Sequence, residues 1–294
     1  MIAAGVIGWP VAHSKSPAIH RFWLAKLGID GDYTRFAVAP ERLGEAVHAL
    51  PAFGVRGVNV TVPHKVAVMA HLDRVDPLAA RAGAVNTVVV ADDELIGYNT
   101  DVEGFLEPLR ALENRKRPVN HVDDLYTLVG TGGAARAAAV ALTGRELTIL
   151  GRDKAKAAAL ADELGRGADC GRSGSIGTLD PPIQVFDPAC PDVRPNHGVD
   201  QRYSHVIINA TTLGMTGQPA LTINLDKFAA DTIVYDMVYA PLETPLLAAA
   251  RARGMRTIDG LAMLIGQAAA AFALFYGEPA PREHDAELRA LLMA

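Results

Sequence analysis

Leu125-Tyr126-Thr127-Leu128-Val129 runs directly into Gly130-Thr131-Gly132-Gly133-Ala134-Ala135, and an alanine-rich stretch follows. The first five residues are apolar or β-branched and read as a buried strand. Gly130-x-Gly132-x-x-Ala135 then fits the dinucleotide fingerprint. The first Gly permits a tight turn, the second lets the backbone approach a pyrophosphate, and the small third residue lets the helix pack closely. The helix N-terminus supplies unpaired N–H groups and partial positive charge for phosphates. A second strand at residues 147–150 and a helix over 153–164 complete the βαβ context that the pattern requires. The spacing predicts an α/β protein with a Rossmann-like unit, in which Gly130, Thr131, Gly132, Gly133 and Ala134 hold the cofactor.

The residues after the second strand bear on which dinucleotide is bound. They read Gly151-Arg152-Asp153-Lys154-Ala155-Lys156. Arg152 stands where a guanidinium grips a 2′-phosphate in bidentate fashion, and Lys156 adds a second positive charge. Asp153 has three readings: it repels the phosphate, binds ribose hydroxyls as in NAD sites, or caps the following helix. Arg152 favours NADP, with NAD as the alternative.

Upstream of this unit, residues 4–8 read as a short buried strand. Ser16-Pro17 opens a helix, Ser16 as N-cap and Pro17 at its first position. Residues 33–38 form the next strand, Pro40 precedes a helix ending near Leu50, and 55–62 form a third strand. Residues 85–91 and 94–98, joined by Asp92-Asp93, read as a hairpin. Strands alternating with helices predict βαβ units and a mostly parallel sheet. Thr100 or Asp101 is placed to cap another helix, and residues 114–124 are polar, a hinge or loop. Downstream, residues 165–204 are rich in Gly, Pro, Asp and Arg, with a strand expected near 184–186. Strands return at 206–209 and 232–235, and the chain from Thr244 on reads as helical with an apolar face.

The third strand ends in Gly57-Val58-Asn59-Val60-Thr61-Val62-Pro63-His64-Lys65. Asn59 and Thr61 are two apart and share a face. Polar alternate residues on a core strand need partners, either internal or on a polyhydroxylated ligand. Pro63 then breaks the ladder and leaves Lys65 at the strand's carboxyl end, where open α/β sheets bind ligands. Ser14 and Ser16 offer two hydroxyls, each donor and acceptor, which suit a carboxylate. Gln267 sits within the apolar run 261–276, where a buried amide requires partners.

Composition sets the frame. The 294 residues are long for one core and predict two domains. Hydrophobic residues make up 50% and charged residues 21%, a soluble globular balance. The net charge of −5 carries no basic stripe, which argues against nucleic acid. The run 261–276 is interrupted by Gly266 and Gln267 and falls short of the ~20 apolar residues a membrane span needs. The two cysteines, Cys170 and Cys190, and the nine histidines have no metal-like spacing. No metal is expected. The N-terminus lacks a charged region followed by an apolar core, so a reducing cytoplasm is the expected setting.

Several segments together resemble the shikimate dehydrogenase family. They are Gly8-Trp9-Pro10-Val11-Ala12-His13-Ser14-Lys15-Ser16-Pro17, the Gly57 to Lys65 stretch, Gly83-Ala84-Val85-Asn86-Thr87, and Gly97-Tyr98-Asn99-Thr100-Asp101-x-x-Gly104. In order after the dinucleotide loop come Asn209-Ala210-Thr211-Thr212-Leu213-Gly214-Met215, Asp236-Met237-Val238-Tyr239-Ala240-Pro241 and Asp259-Gly260-Leu261-x-Met263-Leu264-x-x-Gln267. The resemblance implies a split substrate-binding and catalytic domain, residues 1–101 plus 240–294, with an NADP-binding Rossmann-like domain at 102–239. It pairs Lys65 with Asp101 as the catalytic residues and adds Asn86 and Tyr239 to Ser14, Ser16, Asn59, Thr61 and Gln267 on the substrate. It places Thr211, Met237 and Gly260 at the nicotinamide cofactor. The family commonly has Asn-Arg-Thr or Asn-Arg-Ser where this chain has Gly151-Arg152-Asp153.

The implied activity is reversible NADPH-dependent reduction of 3-dehydroshikimate to shikimate, in chorismate and aromatic amino acid biosynthesis. The enzyme would be a monomer or homodimer. The Lys–carboxylate pairing has a chemical reason: hydride addition to a ketone builds charge on oxygen, which a donor must stabilise and protonate. Three other readings stand beside it. They are a quinate/shikimate dehydrogenase using NAD, a methylenetetrahydrofolate dehydrogenase on a similar plan, and a non-enzymatic NADP-binding sensor.

Overall fold

The computed structural model describes residues 1–113, 125–166 and 205–293. The expected loop at 114–124, the strand near 184–186 and both cysteines lie outside the described residues. The chain divides into two compact units, Met1–Gly104 with Leu264–Ala294, and Phe105–Met263.

The first unit is built on a mixed sheet of β1 (Ile2–Gly8), β2 (Gly31–Ala37), β3 (Val55–Val60), β4 (Arg74–Val75), β5 (Thr87–Ala91) and β6 (Glu94–Tyr98), in the order β2-β1-β3-β5-β6-β4. β1 pairs with β2 and β3 in parallel, and β4 pairs in parallel with β6. The β5–β6 hairpin runs antiparallel, also against β3. Its turn residues Asp92 and Asp93 have φ of 51° and 63°, the left-handed pair of a tight hairpin turn, which Asp tolerates better than most residues.

Three helices, α1 (Ser16–Leu27), α2 (Leu43–His48) and α3 (Pro77–Ala82), connect these strands. Ser16 is not the N-cap. The helix already begins at Ser16, and its amide donates to Ser14 Oγ at 3.3 Å. Leu43, Val47, Val58, Val60, Val85 and Val88 form one buried cluster. His20, Trp23, Tyr33, Phe272 and Phe275 form an aromatic one.

The second unit's described strands are β7 (Leu125–Val129), β8 (Glu146–Leu150), β9 (His205–Asn209), β10 (Ile233–Asp236) and β11 (Arg256–Ile258), all parallel in the order β11-β10-β9-β7-β8. Helices α5 (Gly133–Ala141) and α6 (Lys154–Arg166) follow β7 and β8, and α7 (Pro245–Ala252) joins β10 to β11. Ile207, Val234, Leu246 and Leu247 belong to its core. The strand order reverses between β7 and β9. In open parallel sheets such a switch point marks the ligand crevice at the strands' carboxyl ends.

The expected return to the first unit near residue 240 lies at Leu264 in this division. The cause is β11, a three-residue strand that pairs with β10 and keeps residues 240–263 on the second sheet. The chain after Thr244 is therefore not uniformly helical. Helix α4 (Asp101–Glu113) and helix α8 (Gly260–Tyr276) each continue across the division, and α9 (Asp285–Met293) closes the chain. Among the described residues no helix is long and apolar enough to cross a membrane.

Candidate active site

The substrate-side residues of the first unit gather at the carboxyl ends of β1 and β3 and at the start of α4. Thr61 lies just beyond β3 and its amide still donates to the Ile7 carbonyl at 2.9 Å. Four residues on, Lys65 is fixed through its carbonyl, which accepts from Val85 N–H at 2.8 Å. Its Nζ lies 2.5 Å from Asp101 Oδ2, the two side chains being 15% and 5% exposed. Asp101 is the first residue of α4. A charged pair this deeply placed needs its remaining lone pairs satisfied, and Asn86 Nδ2 donates to Asp101 Oδ1 at 2.9 Å.

Gln267 reaches the same cluster from α8. Asn86 Nδ2 approaches its Oε1 at 3.5 Å, and one Nε2 proton goes to the Leu264 carbonyl at 2.8 Å. The helix that carries it comes close because Gly104 has no side chain. A Cβ there would lie 2.6 Å from the Gln267 amide nitrogen and 2.7 Å from its Cβ. The spacing Asp101-x-x-Gly104 thus places a carboxylate and a close-packing position one helical turn apart.

Ser14 and Ser16 are both buried, 6% exposed each. Ser14 Oγ accepts the Ser16 amide. Arg35 fixes this loop from β2: its Nε and Nη2 donate to the Ser14 carbonyl at 3.1 and 2.5 Å. A guanidinium held on this loop adds positive charge of the kind a carboxylate ligand would need. The sequence offered no pattern for Arg35, since an arginine on a half-exposed strand reads as a solvated charge.

The second unit presents the dinucleotide loop. Gly130 has φ of 126°, and a Cβ there would meet the Ala210 carbonyl oxygen at 2.9 Å. Only Gly fits this turn at the β7–β9 switch point. Gly132 precedes α5 with no side-chain cap on the helix, and nothing lies within 4 Å of where its Cβ would be. Uncapped N–H groups over open space suit a pyrophosphate. Ala135, Ala137 and Ala138 are fully buried and let the helix lie close to the sheet.

At the end of β8, Asp153 Oδ1 accepts the amides of Ala155 and Lys156 at 3.0 and 3.2 Å, which caps α6. Lys156 Nζ sits 3.8 Å from the same carboxylate. Its negative charge is therefore engaged at a helix N-terminus, while Arg152 is exposed. These groups fit an NADP adenosine end.

Thr211 follows β9, with its hydroxyl donating to Asn209 Oδ1 at 2.7 Å and accepting the Leu213 amide at 3.0 Å. Asn209 Nδ2 in turn donates to Asp236 Oδ1 at 2.9 Å, and Thr244 donates to Asp236 Oδ2 at 2.7 Å. Burial pushes the Asp236 carboxyl up, and these donors with the Val238 amide oppose that shift. Met237 donates its amide to the Asn209 carbonyl at 3.0 Å, and a Cβ on Gly260 would lie 2.3 Å from the Met237 carbonyl. Tyr239 lies half-buried beyond them. The motif residues of this unit are thus tied by a buried carboxylate. Among the described residues no group of His, Cys, Asp and Glu is arranged to hold a metal.

Comparison with known proteins decides the relationship. A shikimate dehydrogenase of Rhodospirillum rubrum named as NADP(+)-dependent is 45% identical over 99% of this chain and 96% of its own. The chain belongs to the shikimate dehydrogenase family. The family models for the shikimate dehydrogenase substrate binding domain and the shikimate 5′-dehydrogenase C-terminal domain match residues 6–88 and 260–287. A solved shikimate dehydrogenase in complex with NADP+ is 33% identical, with a TM-score of 0.82 over 100% of this chain and 96% of that one. The shikimate 5-dehydrogenase of Thermus thermophilus, solved with NADP(H) and shikimate, is 34% identical, with a TM-score of 0.79 over 99% of this chain and 100% of that one. The family's two-domain α/β plan is the one seen here.

Proposed function

We infer that the chain catalyses the reversible NADP-dependent interconversion of 3-dehydroshikimate and shikimate, a step of aromatic amino acid biosynthesis. The observation that carries this reading is the Lys65–Asp101 pair at 2.5 Å, with Asn86 and Gln267 on the same polar cluster. Ser14 and Ser16, with Arg35 behind them, take the substrate carboxylate. Thr61, Asn86, Asp101 and Gln267 read its hydroxyls. NADPH supplies the hydride when bound. Lys65 stabilises the oxygen on which charge develops and gives it a proton, and Asp101 orients the ammonium. The relatives named as NADP-dependent shikimate dehydrogenases favour this over the quinate, folate and sensor readings. The reading includes a cytoplasmic monomer or homodimer acting on a small molecule.

The test is absorbance of the reduced nicotinamide with each of shikimate, quinate and a folate, and with NADP+ and NAD+ in turn. Shikimate with NADP+ gives the highest kcat/KM. Quinate carries an extra hydroxyl for which the hydroxyls at 14 and 16 offer no added partner. A kcat/KM for quinate equal to that for shikimate overturns the substrate assignment.

Cofactor preference rests on Arg152. Arg152→Ala weakens NADPH by ~2–3 kcal/mol, the scale of a charge-assisted hydrogen bond, and leaves NADH nearly unchanged. Calorimetric titration of both cofactors checks this, and equal losses for the two would give Arg152 a structural role instead.

A further inference from the structure

Asn59 is saturated by its own protein. Its Oδ1 accepts the Tyr33 phenol at 2.6 Å, and its Nδ2 donates to Thr87 Oγ1 at 2.9 Å and to the Asn86 carbonyl at 3.3 Å. Both amide protons are therefore spoken for, and the residue is 5% exposed. A direct substrate contact, as the resemblance implies, would require breaking this set.

The bonds run on in one sense. Thr87, having accepted from Asn59, gives its only proton to Asn86 Oδ1 at 3.0 Å. Asn86 Oδ1 also takes the Thr100 amide at 2.7 Å, which turns Nδ2 toward Asp101 Oδ1 at 2.9 Å. Asp101 Oδ2 then meets Lys65. A chain of donors thus leads from Tyr33 through Asn59, Thr87 and Asn86 to the carboxylate.

We propose that Tyr33 and Thr87 are positioning residues for the reaction, acting through Asn59 and Asn86 to hold Asp101, and through it Lys65, in one orientation. This rests on the function inferred above. The phenol is the fixed end of the chain because it has no freedom of its own. Tyr33 is fully buried and stacked on His20 at 4.0 Å between ring centroids. Burial also holds its proton in place far above the usual phenol range. With the phenol gone, Asn59 turns its oxygen toward Thr87 and captures the Thr87 proton. Asn86 then loses one of the donors that fix its amide, and the carboxylate loses a rigid partner.

The experiment uses the full-length variants Tyr33→Phe, Thr87→Val and Thr87→Ser. Displacement of a reacting group by about 1 Å costs up to about 100-fold, so Thr87→Val lowers kcat for shikimate oxidation about 10- to 100-fold and Tyr33→Phe about tenfold. KM for NADP+ stays near the wild-type value, and Thr87→Ser, which restores the hydroxyl, restores kcat. A merely structural role lowers the melting temperature without this rescue or this split between kcat and KM. Wild-type kcat in Thr87→Val, or a Thr87→Ser as slow as Thr87→Val, overturns the proposal.

A wild-type protein without shikimate activity would instead sink the functional reading. Hydrogen exchange of the Asn86 side-chain amide, followed by NMR, then decides the chain by itself. Exchange that is slow in the wild type and fast in Thr87→Val upholds it, and equal rates overturn it.

Discussion

Lys65→Ala loses ~10²–10⁴ in kcat for shikimate oxidation, the range for removal of a general acid or base, while KM for shikimate changes much less. The reason is where the group sits. The Lys65 side chain is 15% exposed, and its Nζ is bonded to a carboxylate that is itself bonded to Asn86. It is thus aimed and ready before any ligand arrives. Its interaction strengthens only as charge builds on the reacting oxygen, the pattern of a contact made in the transition state. Lys65→Arg does not rescue, because a guanidinium holds its proton near neutral pH and its planar fork differs in shape from an ammonium. Asp101→Ala loses rate and binding together, since that carboxylate serves both Lys65 and a substrate hydroxyl. Steady-state kinetics of the three variants, with shikimate binding measured separately by calorimetry, provide the check. A Lys65→Ala protein with near wild-type kcat but no shikimate binding would make Lys65 a binding residue.

The second large effect is on stability in acid. His20 is fully buried, and both ring nitrogens lack a hydrogen-bond partner among the described residues. Burial lowers its pKa from 6.5 to about 3. The folded protein therefore refuses a proton that the unfolded chain accepts between those values. Stability from this group is complete above pH 6.5 and falls as pH drops toward 3. The full loss is about 5 kcal/mol, from the pKa difference at 1.36 kcal/mol per unit. By about pH 5 some 2 kcal/mol of it is already gone. His20→Leu removes the titration and the orphaned nitrogens together. The difference in urea unfolding free energy between the two proteins then grows as pH falls from about 7 to about 4. Carboxylates common to both cancel in that difference, so a flat difference would refute the assignment to His20.

How much of this was legible in the sequence depends on the physics of each feature. The β7–loop–α5 passage was, because a periodic apolar strand, glycines at fixed offsets and small helix residues all point to one geometry. The β5–β6 hairpin was, because Asp92-Asp93 sits between two alternating runs. β4 and β11 were not, since two- and three-residue strands carry no period. Lys65, Asp101, Asn86 and Gln267 were named from motifs, and the structure brings these four together. For Asn59, a polar residue on a core strand, the pattern leaves internal and ligand partners both open, and the resemblance implies the substrate. Its partners proved internal, on Tyr33 and Thr87, which lie 26 and 28 residues away. Separations of that size leave no trace in local pattern. Asp153 illustrates the opposite case. Its capping of α6 is one of three local readings, and the amides of Ala155 and Lys156 bonded to Oδ1 show that one.

The end of β8 differs from the rest of the binding surface in one respect. Asp153 and Lys156 are 51% and 74% exposed and pair with each other, and Arg152 is exposed beside them. An exposed side chain such as that of Lys156 accepts substitution within about 0.5 kcal/mol of folding stability, and loss of the Asp153 cap costs about 1 kcal/mol. Asn86, Thr87 and Asp101 enjoy no such latitude, because each exchange there strands a neighbour's donor or acceptor in the interior. Mutational drift therefore has two speeds in this molecule. On the function proposed above, the choice between phosphorylated and unphosphorylated dinucleotide lies on the fast side, open to reversal by a few surface changes with little effect on folding. On the same reading, the choice of a polyhydroxylated substrate lies on the slow side, guarded by folding itself.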